Sequence, residues 1–142
     1  MAIRNRATAV WTGDLKSGSG QVSTASGALA GVGYDFRKRF EGEAGTNPEE
    51  LIGAAHAGCF AMALSGELGK AGMVAEELAV EATVTLEFVE GAPTVTAVHL
   101  DLKARIPGAD RAAFTAAAEG AKANCPISRL LKAEITLAAE LV

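Results

Sequence analysis

The stretch Asn47-Pro48-Glu49-Glu50-Leu51-Ile52-Gly53-Ala54-Ala55-His56-Ala57-Gly58-Cys59-Phe60 decides how this chain is read. Asparagine suits a helix N-cap, proline the first helical position, and Glu50 the third, where a side chain can return to the cap. A helix is therefore expected from Asn47 to about Gly69 or Gly72. Its uncharged part, Leu51 to Gly66, is shorter than the about 20 strongly apolar residues of a membrane span. It reads as a buried core helix, and it carries a cysteine deep inside.

Outward from this helix the pattern changes period. Arg6 to Thr12 alternates β-branched and aromatic residues, Thr12 to Asp14 and Ser17 to Gly20 read as turns, and Ala28 to Phe36 as a third strand. Arg39 to Gly45 reads as a polar, glycine-bearing loop. After the helix, Leu78 to Phe88 and Thr94 to Ala104 alternate apolar and polar around a turn at Glu90 to Pro93, which is a long hairpin. Asp110 can cap a second helix from Arg111 to about Lys122, a short helical turn follows from Pro126 to Lys132, and Glu134 to Val142 closes as a strand. The order β-β-β-α-β-β-α-β, with hairpins rather than alternating units, is that of an α+β domain. Mostly antiparallel sheets are expected to wrap a central helix.

The chain has 142 residues, enough for one domain over residues 1–142 with its own core. It is 49% hydrophobic, high for a soluble monomer, which points to surface buried against a second subunit. A net charge of −4, with no basic cluster beyond Arg37-Lys38-Arg39, speaks against nucleic acid as a partner. No apolar stretch follows the charged N-terminus, so a cytoplasmic protein without a membrane partner is expected.

The chemistry rests on two cysteines. Cys59 lies in a stiff, small-residue helix beside Phe60 and Met62. Cys125 lies in Asn124-Cys125-Pro126-Ile127-Ser128, at a break between elements. This contrast suits a redox couple, in which one thiol is held in place and the other approaches it. A buried, inert cysteine is the plainer alternative. A reactive thiol needs its charged form favoured, but burial raises its pKa. The helix N-terminus lies about 15 Å away along the axis. The cation must come from elsewhere, with Arg39 the first candidate and Arg37 the reserve. Glu49 has only a weak capping role and is free to hold an arginine. His56 sits one turn before Cys59 and could act as a base, though a hydrogen-bonded core histidine is commoner; His99 reads as structural. Zinc is disfavoured because the Cys and His residues lack paired spacing, and no phosphate loop, nucleophile elbow or dinucleotide fingerprint occurs.

The segment from Arg39 to Leu64, together with Asn124-Cys125-Pro126-Ile127-Ser128-Arg129-Leu130-Leu131, resembles the two motifs of the OsmC/Ohr family of thiol peroxidases. His56-Ala57 before the cysteine is similar to the osmotically inducible branch. The resemblance implies an intertwined homodimer that reduces organic hydroperoxides with no metal or other cofactor. It implies Cys59 as the peroxidatic cysteine, Cys125 as the resolving one, Arg39 as the residue holding the thiolate, and Glu49 as the residue orienting Arg39. An external dithiol, of lipoyl type, would then reduce the Cys59–Cys125 disulfide. A carrier of small hydrophobic ligands with inert cysteines is the rival reading.

Overall fold

A computed structural model describes residues 1–142. The chain forms two compact units, Met1–Leu51 and Ile52–Val142.

The first unit holds an antiparallel sheet of β1 (Ala7–Thr12), β2 (Ser19–Thr24) and β3 (Val32–Tyr34) in that order. The turn expected at Ser17 to Gly20 is shorter than its glycines suggest, because β2 begins at Ser19 and pairs with Thr12. Gly20 is buried, and Trp11 and Tyr34, which pair with it across the sheet, close over it. A β-carbon there would stand 2.7 Å from the Trp11 ring and 2.6 Å from the Tyr34 ring, so only glycine fits. β3 is shorter than expected. Gly27 and Gly31 have positive φ, and the chain from Thr24 to Gly31 is tied into a loop by Leu29 N–H donating to Thr24 Oγ1.

The loop expected at Arg39 to Gly45 is partly a helix. α1 spans Phe36–Phe40, with Asp35 as its N-cap accepting from Lys38 N–H at 2.9 Å. That bond, followed by the Lys38 ammonium at 3.1 Å, holds the Asp35 carboxyl below the ordinary carboxylate range. Five residues carry too little periodicity to announce a helix, so the cap is its only sequence signal.

α2 (Pro48–Lys70) starts where expected, with Glu50 N–H donating to Asn47 Oδ1 at 2.9 Å. The Glu50 side chain stays exposed and does not return to the cap. In the second unit, Gly53, His56, Phe60, Leu64 and Leu68 form one buried stripe at spacings of three and four. By length and composition alone α2 could pass for a membrane span, but this stripe is that of a core helix.

The stripe packs on the sheet of β4 (Glu77–Val89), β5 (Ala92–Arg105) and β6 (Glu134–Leu141). β4 and β5 form the expected hairpin, turning at Glu90 and Gly91, both of positive φ as a primed two-residue turn requires. β6 pairs only with Ala97–Ala104, so Pro93 sits where β5 has a single neighbour and needs no second donor. β6 runs parallel to β5, and the crossover between them contains α3 (Arg111–Asn124) and α4 (Pro126–Leu130). Phe114, Ala117, Ala118 and Ala121 on α3 complete a core with Val98, Leu100, Leu102 and Ala104.

Candidate active site

Two groups of the expected residues come together, one in each unit. In the first, Arg39 at the end of α1 meets Glu49 in the first turn of α2. Arg39 Nε donates to both Glu49 oxygens at 3.1 and 3.2 Å, and Nη2 donates to Oε1 at 2.9 Å. This is the fork geometry that only arginine offers a carboxylate. Glu49 is 8% exposed, unusual for a glutamate without a partner. Arg37 turns instead to Glu41 and Glu43 in solvent, at 4.0 and 3.7 Å. Arg39 also borders a cavity of about 280 Å³ lined by Trp11, Leu15, Tyr34, Phe36 and Phe40.

In the second unit the two cysteines are neighbours, both as free thiols. Cys59 lies beside the buried stripe of α2, and Cys125 is the residue between α3 and α4, 1% exposed. Burial pushes the Cys59 thiol above its ordinary pKa; the Ile127 N–H works against that shift, and the adjoining Cys125 thiol reinforces it. Cys125 is where it is because α3 ends at Asn124 and Pro126 opens α4. As N-cap of α4 its sulfur accepts from Ser128 N–H at 3.4 Å.

His56 is fully buried on the same helix, one turn before Cys59. Its Nε2 lies 2.7 Å from Ser128 Oγ, and that hydroxyl lies 3.1 Å from Cys125 Sγ. Ser128 is the residue that sequence reasoning missed; its only signal was a place in the short motif after Cys125. Burial keeps the His56 pKa down, so the imidazole is neutral, and its Nδ1 has no partner. His99 pairs with Thr136 on the exposed face of the sheet, 2.7 Å apart, away from this group. No cluster of three or more His, Cys, Asp or Glu side chains could hold a metal ion.

A family model described as "OsmC-like protein" matches residues 40–140. The chain belongs to the OsmC family. It is 50% identical over 137 residues to a protein of Escherichia coli (strain K12) named Peroxiredoxin OsmC, an alignment covering 96% of each chain. The same figures hold for the protein of that name from Shigella flexneri. Among solved structures, an OsmC-like protein of unknown function from Vibrio cholerae superposes with a TM-score of 0.78 at 17% identity, covering 97% of this chain and 99% of that one. An organic hydroperoxide resistance protein from Elizabethkingia anophelis gives a TM-score of 0.70 at 26% identity, covering 99% and 98%. The α+β fold of the family is thus the fold of this chain.

Proposed function

We propose that this OsmC-family chain reduces organic hydroperoxides to alcohols in a two-cysteine cycle. Half identity with a protein named peroxiredoxin, across 96% of both chains, makes it a thiol-dependent peroxidase of the oxidative-stress response. The observation that carries the cycle is the pair of neighbouring free thiols, one in a packed helix and one at a helix break.

Cys59 thiolate attacks the peroxide oxygen, the alcohol leaves, and a sulfenic acid remains. Cys125 displaces hydroxide from it to give the disulfide, and an external dithiol reopens that bond by exchange. A lipoyl-type carrier fits the dithiol requirement. Nothing in the second unit favours the Cys59 thiolate enough to offset burial, so a cation is required. The Arg39 fork, oriented by Glu49, meets that need and also stabilises charge on the departing oxygen. The aromatic cavity beside Arg39 favours alkyl and aryl hydroperoxides over hydrogen peroxide. A cytoplasmic location suits the reducible disulfide.

The working form is a homodimer. Met62, Val74, Phe88 and Leu130 are each more than two-thirds exposed in the single chain, more large apolar side chains than a monomer gains from exposing. Each active site then takes Cys59 and Cys125 from one subunit and Arg39 with Glu49 from the other. The test is turnover of cumene hydroperoxide with dihydrolipoamide. Cys59→Ser abolishes it, whereas Cys125→Ser reacts once and stalls. A Cys59→Ser subunit mixed with an Arg39→Ala, Glu49→Ala subunit regains activity through one complete site. Normal cycling of Cys125→Ser would refute the disulfide step, and inactive heterodimers would refute the shared site.

A further inference from the structure

The resolving cysteine has neighbours for which the cycle described so far has no use. His56, Ser128 and Cys125 form an unbroken file: Nε2 to Oγ at 2.7 Å, then Oγ to Sγ at 3.1 Å. All three are sheltered: His56 is fully buried, Cys125 is 1% exposed, and Ser128 is half-buried. A histidine with one buried nitrogen unpartnered is costly to keep for packing alone, since an apolar residue would fill the same stripe. The file ends at the thiol beside Cys59, and its first bond, between His56 and Ser128, joins residues 72 positions apart in sequence.

We propose that Ser128 and His56 form a proton relay that serves Cys125 in the disulfide-forming step. The inference rests on the peroxidase reading above and concerns only its second half. As Cys125 sulfur attacks the sulfenic sulfur of Cys59, its proton passes to Ser128 Oγ and the Ser128 proton passes to His56 Nε2. The S–S bond forms while the S–O bond breaks, and the electron pair of that bond leaves with hydroxide. The proton then returns from the imidazolium through the Ser128 hydroxyl to the hydroxide, which departs as water. Atoms balance: a sulfenic acid and a thiol give a disulfide and water, and the relay ends as it began.

The buried setting suits both halves of this motion. A neutral imidazole has a lone pair to accept the proton. Once protonated it is an unusually strong acid, because burial disfavours its charge. It therefore gives the proton back promptly. Ser128 N–H, which donates to Cys125 Sγ, steadies the developing thiolate from a second direction. Ser128 touches a reacting sulfur and is catalytic in this sense, whereas His56 acts through Ser128 and is a positioning and proton-holding residue.

The two half-reactions can be timed separately. One equivalent of cumene hydroperoxide is mixed with reduced protein, without dithiol, and samples are quenched for sulfenic acid (dimedone adduct) and for disulfide by mass spectrometry. Ser128→Ala slows disulfide formation about 100-fold, the lower range of general acid–base catalysis, and Cys59 sulfenic acid accumulates. Ser128→Thr, which keeps the hydroxyl, recovers most of the rate. His56→Gln slows the same step. In heavy water the wild-type step shows a solvent isotope effect that disappears in Ser128→Ala. Disulfide formation at the wild-type rate in Ser128→Ala overturns the relay. So does a slow Ser128→Ala step that Ser128→Thr fails to restore and whose isotope effect is unchanged, since that marks mere positioning of Cys125. Wild-type protein that leaves the hydroperoxide intact overturns the peroxidase reading and the relay with it.

Discussion

Replacing Glu49 by glutamine tests whether the Arg39 fork works by orientation or only by charge. The carboxylate accepts three N–H contacts from Arg39 between 2.9 and 3.2 Å. Glutamine keeps the shape but has one acceptor oxygen and an NH₂ group that faces the guanidinium, so one branch of the fork is lost. Hydrogen bonds to charged groups are worth about 1.5–3 kcal/mol when buried, whereas exposed pairs contribute about 0–1 kcal/mol. The Glu49 side chain is 11% exposed and the Arg39 side chain 37%, so solvent screens the pair and a loss of about 1 kcal/mol is expected. That shifts Tm by roughly 2–4 °C. If the guanidinium also swings out of line, the barrier to peroxide cleavage rises by about 1.4 kcal/mol, a tenfold loss of rate. Removing the negative charge has the opposite electrostatic effect, leaving more net positive charge to favour the Cys59 thiolate. The expected signature is thus a lower Cys59 thiol pKa together with about tenfold slower oxidation per thiolate. Stopped-flow oxidation by cumene hydroperoxide, with thiol pKa from the pH dependence of iodoacetamide labelling, measures both. A per-thiolate rate unchanged in a folded Glu49→Gln protein would refute the orienting role.

Two further outcomes follow from the same geometry. Arg39→Lys should retain charge but lose the fork, giving an oxidation rate between wild type and Arg39→Ala in the same stopped-flow assay; equal rates in Arg39→Lys and wild type would sink the fork argument. His56 has its pKa lowered by burial from 6.5, so the unfolded chain binds more protons below that pH. Stability from this group is complete above about pH 6.5 and is lost as pH falls from there toward the lower folded value. Urea midpoints measured from pH 7.5 to 5 should drop over this range, and the drop should shrink in His56→Gln.

How much of the molecule was legible beforehand depends on how local each signal was. The Asn47 cap, the alternation along β4 and β5, the Asp110 cap and the unlike settings of the two cysteines are all written in neighbouring residues. Each was readable and each is present in the fold. α1 falls across the end of the expected third strand and the start of the expected loop, because five residues span little more than one turn, too short for periodicity to speak. The turn at Glu90 and Gly91 lies within the expected Glu90 to Pro93, and the sequence does not narrow it further, since glycine marks positive φ and glutamate does not.

The sequence by itself determined which residues could react: a thiol in a packed helix, a second thiol at a helix break, an arginine and a spare glutamate close in the chain. Only the tertiary structure decided which of them meet. The parallel return of β6 beside β5 obliges the chain to cross over through α3 and α4, and that crossover delivers Cys125, Ile127 and Ser128 to the α2 stripe carrying His56 and Cys59. The choice of Arg39 over Arg37 for Glu49 likewise required α1 to form, because a helical turn points adjacent side chains in different directions. Periodicity and capping act over a few residues, whereas these contacts depend on closing long loops around a shared core. For that reason Ser128, indistinguishable from any helix-start serine in the sequence, becomes the link between a buried histidine and a buried thiol once the chain is folded.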